Sequence, residues 1–171
     1  MKRMILLPLF CLVSLIMANA QKFAMIDMEY IMENIPEYQQ ANNELELASQ
    51  QFQKAIEAKA KEAETLYLAY QKASNSLSAT QRTQKEEAIV AKEKEVSELR
   101  RMYFGPEGEM AKKEDALIAP IQNRIYEVVK QISMQKGYDA VIDRASATSV
   151  IFASPRIDIS NEVLAKLGYS N

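Results

Sequence analysis

The sequence predicts an α+β protein, mostly α, in which a long antiparallel helical hairpin separates short strands near the two ends of the chain. The middle of the chain is rich in Glu, Lys, Ala, Gln and Leu, and its apolar residues recur at alternating steps of four and three. That spacing is typical of packed helices. Short runs of Val, Ile, Phe and Met near both ends are typical of strands.

The first 20 residues are predicted to be a secretory signal peptide. Met1 to Arg3 form a basic head, an apolar run extends from Met4 to Met17, and Ala18-Asn19-Ala20 is a small-x-small cleavage site. About 14 apolar residues are fewer than the ~20 that a membrane-spanning helix needs. We therefore expect export and cleavage after Ala20 rather than membrane insertion, and we interpret Cys11 as part of the signal.

The composition of the remaining 151 residues excludes several classes of protein. They contain no His, Cys or Trp, and their 19 basic and 23 acidic residues give a net charge of −4. A disulfide scaffold is excluded, and the mild acidity argues against nucleic acid as a partner. Without His, Cys or a glycine-rich phosphate loop, we expect no enzyme, no cofactor and no metal site. Asp139 and Asp143 are interpreted as polar strand positions.

Three strands are expected, at about residues 22–28, 138–143 and 149–153. A helical arm is expected over about residues 36–136, with its tip at about 74–80. Pro36 suits the first turn of a helix, and Ser78 or Thr80 can cap the second one. The predicted seam of the first helix comprises Tyr38, Asn42, Leu45, Ser49, Phe52, Ile56, Lys59, Ala63, Leu66, Tyr70, Ala73 and Leu77.

The returning part of the arm carries two further apolar runs. The first contains Ile89, Val96 and Tyr103, and the second extends from Met110 to Ile132 and is expected to end at Gly137. Pro120 should kink the second run or begin a new helix. Ser160 is expected to cap a short last helix that is stopped by Gly168.

Three short strands bury little apolar surface and leave unpaired edges. The seam of the first helix is also thin, because Asn42, Ser49 and Lys59 occupy positions that a strong coiled coil fills with Leu or Ile. The chain is therefore expected to associate with itself or with another protein.

The order of these elements resembles the Skp/OmpH family of periplasmic chaperones. The resemblance is carried by the Phe23 to Met28 strand, the helical hairpin, the Gly137 to Asp143 segment and the Ile157 to Val163 helix start. It covers residues 21–171 as a single domain. It implies an ATP-independent holdase in the periplasm, a homotrimer in which a small β body carries three arms around a cavity for unfolded outer-membrane proteins.

Site residues follow from the resemblance position by position. Client contact is assigned to Tyr67, Tyr70 and Leu77 near the tip of the arm, although these side chains could instead seal the two helices against each other. A lipopolysaccharide site is not carried over, because this chain is acidic where well-known members are strongly basic. The body of the trimer is assigned to Phe23, Met25, Ile26, Val141, Ile142, Val150 and Phe152.

Gly105-Pro106-Glu107-Gly108 interrupts the returning helix and has no counterpart in the family pattern. Pro106 removes a helical hydrogen bond, and Gly105 and Gly108 widen the accessible backbone conformations. We interpret the stretch as a hinge at which Phe52 contacts Tyr103 or Phe104. A register-correcting bulge without motion is the alternative.

A second function remains open from the sequence. A long hairpin that is polar outside and thinly apolar on one face could also serve as a non-catalytic coiled-coil adaptor or spacer in a cell-envelope assembly. Suppression of client aggregation would distinguish the holdase from the adaptor.

Overall fold

A computed structural model of the chain describes residues 21–169, so the predicted signal peptide, with Cys11 and the cleavage point after Ala20, lies outside the described residues. The mostly α, α+β prediction is confirmed. The elements are β1 (Phe23–Ile26), α1 (Met28–Glu33), α2 (Pro36–Ala73), α3 (Ala79–Phe104), α4 (Glu109–Lys136), β2 (Ala140–Asp143) and α5 (Ser160–Leu167).

The described residues fall into two compact units, and α4 contributes to both. We call residues 21–34 and 124–169 the strand unit, and residues 35–123 the hairpin unit.

The strand unit is built on a parallel pair of strands. β1 and β2 pair in register from Phe23 opposite Ala140 to Ile26 opposite Asp143. The other edge of β1 is bridged by Asp158, and the Ile159 amide donates to the Met25 carbonyl oxygen at 2.8 Å. Ala24, Met25 and Ile26 are all buried, as expected of a parallel strand covered on both faces.

Asp27 begins α1, a short helix that the sequence reasoning missed. Its Oδ1 accepts a hydrogen bond from the Tyr30 amide at 3.0 Å, which is a normal N-terminal cap. The Asp27 amide donates to the Ser160 hydroxyl at 2.9 Å. The cap therefore ties α1 to the start of α5. Around them lies the core of the strand unit, whose largest fully buried side chains are Ile31, Ile125, Ile132 and Val163.

The third predicted strand, at residues 149–153, is wrong. This segment has no strand, and Ile151 and Phe152 are exposed to 102% and 82%. Its β-branched and aromatic residues favour a strand, but in this chain the segment pairs with neither β1 nor β2. The second edge of β1 is already taken by Asp158, so within this chain the segment has no place on β1.

Ser160 also differs from expectation, because it is the first residue of α5 rather than its cap. Its amide and hydroxyl both donate to Oδ1 of Asp158, at 2.9 and 2.6 Å. The hydroxyl accepts from the Asp27 amide at 2.9 Å, so it links α5 to the start of α1. Gly168 ends α5 in the left-handed conformation, at φ 93°, as predicted.

In the hairpin unit, the predicted tip at residues 74–80 is confirmed. A single 3-10 turn, Ser74–Ser76, follows α2, and Ser78 caps α3. The Ser78 hydroxyl accepts from the Gln81 amide at 3.3 Å, and the Gln81 side chain accepts from the Ser78 amide at 3.0 Å. This reciprocal capping box satisfies two backbone donors that the first turn of α3 would otherwise leave free.

The returning chain is interrupted at residues 105–108 and then continues as α4. Pro120 lies inside α4, so it does not begin a new helix. Helix α4 ends before Gly137, whose φ of 68° is a left-handed conformation that glycine adopts without strain. The predicted end of this run is therefore confirmed.

The predicted seam of α2 is right at some positions and wrong at others; Leu66, which it includes, is 40% exposed. Ile56 and Ala63 are buried as predicted, whereas Ala41 and Ala48 are buried in place of the predicted Asn42 and Ser49. The buried positions are shifted by one residue in this first part of the helix.

Candidate functional site

Two surfaces are candidates for function, one in each unit. The first contains the predicted body residues of the strand unit. Met25 and Ile26 are 4% and 5% exposed, so they belong to the core of this chain. Phe23, Ile142 and Phe152 are exposed to 46%, 38% and 82%, and Val141 and Val150 are half-buried. The predicted set therefore divides into an internal core and an exposed apolar surface.

The backbone of β2 adds to this surface. Within residues 21–169, β2 pairs only with β1, whereas β1 has partners at both edges. The second edge of β2 therefore carries strand amides and carbonyls without a strand partner. Such an edge readily accepts a strand from another chain.

The polar residues beside this surface are engaged in structural contacts. Nη2 of Arg144 lies 2.7 Å from Oδ2 of Asp27. The hydrogen bond from the Tyr30 amide, and then the Arg144 guanidinium, hold the pKa of Asp27 below its ordinary value. Throughout the described residues, every buried side-chain nitrogen and oxygen has a hydrogen-bond partner.

Asp139 and Asp143, interpreted from the sequence as polar strand positions, serve the ends of the strands. Asp139 accepts from the Lys22 amide at 2.8 Å, and Asp143 accepts from the Met28 amide at 3.0 Å. The described part of the chain contains no group of three or more acidic side chains placed to hold a metal ion.

The second surface lies on the hairpin unit near its tip. Of the predicted client contacts, Tyr67 is exposed to 49%. Tyr70 donates its hydroxyl hydrogen bond to Glu86 on α3, which raises the pKa of Tyr70 and joins the two helices. Leu77 is half-buried in a groove with Leu66 and Ala88. Tyr67 is therefore the predicted contact most available to a partner.

The exposure of the neighbours of Tyr67 was not predicted from the sequence, which placed Leu66 in the buried seam. Leu66 and Leu68 are exposed to 40% and 45%. Consecutive apolar residues in a predicted helix are the signal that would have found them, because a narrow seam cannot bury all three. Beside Tyr67 is an open groove of about 470 Å³ between α2 and α3. It is lined by Ala60, Ala63, Glu64, Tyr67, Glu93, Val96, Ser97 and Arg100.

The interruption at residues 105–108 lies beside a cluster of three aromatic rings. Phe52 of α2 stacks on Tyr103, with ring centroids 4.2 Å apart and planes 6° apart. It also meets Phe104 edge-on at 6.2 Å. The predicted aromatic contact is confirmed, while hinge motion at Gly105, Pro106 and Gly108 stays a prediction.

None of the helices within residues 21–169 combines the length and the apolar character needed to cross a bilayer.

Comparison with known proteins gives a family and a fold. No curated protein matches the chain. A solved structure of a Caulobacter crescentus protein, assigned as an OmpH-like outer membrane chaperone, is similar with a TM-score of 0.64. At 14% identity, the alignment covers 86% of this chain and 83% of that one, and it supports the fold alone. The family model described as "Outer membrane protein (OmpH-like)" matches residues 22–167. The chain therefore belongs to the OmpH-like family.

Proposed function

We propose that this protein is an ATP-independent periplasmic holdase that binds unfolded outer-membrane proteins and prevents their aggregation. The observation that carries the proposal is the exposure of Leu66, Tyr67 and Leu68, each between 40% and 49%. Consecutive helical residues point about 100° apart, so these three spread over more than half of the helix circumference. One partner helix cannot cover that arc, and exposed apolar surface of this kind is typical of proteins that bind others.

The chemistry of this surface suits unfolded β-barrel chains. Their membrane strands alternate apolar and polar residues, so an unfolded segment presents apolar side chains at short intervals. From residue 36 to residue 103 the hairpin carries 11 acidic and 10 basic residues. This near-balance of charge favours binding of clients through apolar contacts rather than through electrostatic attraction. Lipopolysaccharide binding is not part of the proposal. Neither a cofactor nor a catalytic step is included.

We also propose that the working form is a homotrimer joined through the strand unit. The exposed Phe23, Ile142 and Phe152 and the second edge of β2 support this assembly. A signal peptide cleaved after Ala20 would deliver the chain to the periplasm.

The test is a light-scattering assay with the chain lacking residues 1–20. A urea-unfolded β-barrel protein is diluted into buffer with and without a stoichiometric amount of trimer. We expect scattering to be suppressed equally in the presence and absence of ATP. No suppression at this ratio would contradict the holdase and favour the adaptor.

Paired variants locate the client surface. Tyr67→Ser with Leu68→Ser should weaken suppression, because both exposed apolar side chains are lost. The matched control is Glu57→Ser with Lys72→Ser, which removes exposed polar side chains from the same helix. Equal suppression by both double variants would show that clients bind elsewhere.

A further inference from the structure

The open groove beside Tyr67, of about 470 Å³, has an apolar floor. Ala63 and Val96 line it and are 7% and 9% exposed, so the two helices already cover most of their surface. Ala60 and Ser97 also line it, and their small side chains leave space open between α2 and α3. Tyr67 adds a ring that is 49% exposed. The groove therefore offers apolar surface and an aromatic ring to a side chain from another molecule.

Two carboxylates border the same groove. Glu64 lies three residues before Tyr67, so the two side chains are neighbours on one face of α2. Glu93 borders the groove from α3. The ion pair between Glu62 and Lys92, at 3.6 Å, brings the two helices side by side at this level. The carboxylates of both helices are thus placed beside the ring of Tyr67.

These two carboxylates are available to a ligand. Within residues 21–169, the side chains of Glu64 and Glu93 make no ion pair and no hydrogen bond. Arg100, the basic residue of the lining, is seven residues beyond Glu93, which is about 10 Å along α3. The part of the groove next to Tyr67 is therefore negatively charged, and it attracts a cation.

The length of the groove suits a short extended segment. Ala60 and Tyr67, the outermost lining residues of α2, are seven residues apart, or about 10 Å along the helix axis. An extended chain rises about 3.3 Å per residue, so roughly three residues fit, and side chains two residues apart point the same way. Two side chains of one segment can therefore enter together, one beside Tyr67 and the other beside Glu64.

We propose that this groove binds an aromatic side chain of an unfolded client, while Glu64 and Glu93 hold a Lys or Arg two residues away on the client chain. Aromatic rings pair favourably when offset-stacked or edge-on, and Tyr67 supplies the partner ring. Membrane β-barrels carry girdles of aromatic residues at both ends of their strands, next to polar turns and loops. The inference rests on the proposed function, and adds to apolar contact a preference for a nearby cation.

The test uses two peptides and the chain lacking residues 1–20. Because the protein contains no Trp, the emission of a Trp in the peptide reports on the peptide alone. The first peptide is Ser-Gly-Ser-Trp-Ser-Lys-Ser-Gly, acetylated and amidated, and the second carries Glu in place of Lys. We expect the parent to bind the Lys peptide roughly fivefold more tightly, because exposed ion pairs replace repulsion between like charges.

Three variants locate this preference. Tyr67→Ser should weaken the binding of both peptides by roughly threefold or more, because the stacking partner is lost. Glu64→Lys with Glu93→Lys, the groove variant, should reverse the preference, so that the Glu peptide binds more tightly. The matched control is Glu57→Lys with Glu87→Lys, which makes the same change of net charge at exposed positions outside this groove. It should keep the preference of the parent. Glu and Lys form helices about equally well, so both double variants should fold.

The proposal is overturned if the parent binds neither peptide measurably or binds both equally. It is also overturned if the groove variant keeps the parental preference, or if the control reverses it as well. A peptide affinity that falls as the protein concentration rises would assign the groove to a second copy of the chain and would likewise contradict the proposal.

The holdase itself is tested separately by light scattering. Suppression of aggregation by a parent that shows no preference between the peptides would refute the groove alone. A preference for the Lys peptide without suppression of aggregation would refute the holdase alone.

Discussion

Replacing Phe152 with Asp tests whether the exposed surface of the strand unit joins copies of the chain. Within one chain this side chain is 82% exposed, so the substitution should change the stability of the subunit by no more than about 0.5 kcal/mol. In an assembly that buries it, removal of a phenylalanine side chain costs about 2 kcal/mol per copy. Three copies would lose about 6 kcal/mol, which corresponds to about four orders of magnitude in the trimer dissociation constant.

The assay is native mass spectrometry of the chain lacking residues 1–20 at micromolar concentration. We expect three subunits in the parent and a monomer in the variant, with unchanged far-ultraviolet circular dichroism. Val90→Asp is the matched control, because Val90 is 61% exposed but lies on α3. It should leave the trimer intact. A monomeric parent, or a Phe152→Asp protein that remains trimeric, would refute the reasoning.

Three further predictions concern stability. Asp27→Ala should cost about 1 kcal/mol through loss of the α1 cap, measured by urea unfolding. The pKa of Asp27 in the folded protein lies below its ordinary value of 3.8. Its carboxylate therefore stabilises the fold fully above pH 3.8, and this stabilisation is lost as the pH falls through the folded pKa. The alanine variant should lack this acid-dependent loss of stability. Phe52→Ala should cost about 2 kcal/mol, and more than Phe104→Ala, because Phe52 makes both ring contacts; equal costs would contradict the central role of Phe52. Amide exchange should be fastest at Ser74–Ser76 and slowest at Phe23–Ile26, and uniform protection would argue against a thinly packed hairpin.

The parts that sequence reasoning predicted well depend on local signals. Ser78 with Gln81 specifies a capped helix start, and Gly137 and Gly168 specify helix ends, whatever the rest of the chain does. Pro36 marks the start of α2 for the same reason, because a proline is tolerated in the first helical turn. These residues were enough to define the hairpin and its tip.

The seam before Phe52 could not be fixed in this way. Ala41 and Ala48 are more apolar than Asn42 and Ser49, and that difference was a usable signal. A constant seven-residue step nevertheless gives the wrong set, because the buried residues Ala48 and Ile56 are eight residues apart.

The segment at residues 149–153 shows a second limit. Val150, Ile151 and Phe152 have strand-forming side chains, but such side chains do not determine whether a segment pairs within its own chain. The bridge from Asp158 to Met25 was invisible in the sequence, since a single paired residue leaves no periodic pattern. Leu66 was placed in the seam and is nevertheless 40% exposed, and the 45% exposure of Leu68 was not predicted. The spacing of apolar residues does not show how much of each side chain a thin hairpin leaves exposed.

The connectivity of β1 has a consequence for the order in which the chain folds. Residues near position 23 are among the first to be synthesised, yet their partners follow 117 and 133 residues later, at Asp139 and Ser160. Helices α2 and α3 adjoin in sequence, and contacts that close short loops form faster than distant ones. During N-to-C-terminal synthesis the hairpin can therefore form while the apolar residues of β1 are still exposed to solvent. Strand β1 is synthesised first but buried last. Until residue 160 has emerged, its apolar side chains are exposed in the same way as those of the unfolded clients proposed for this protein.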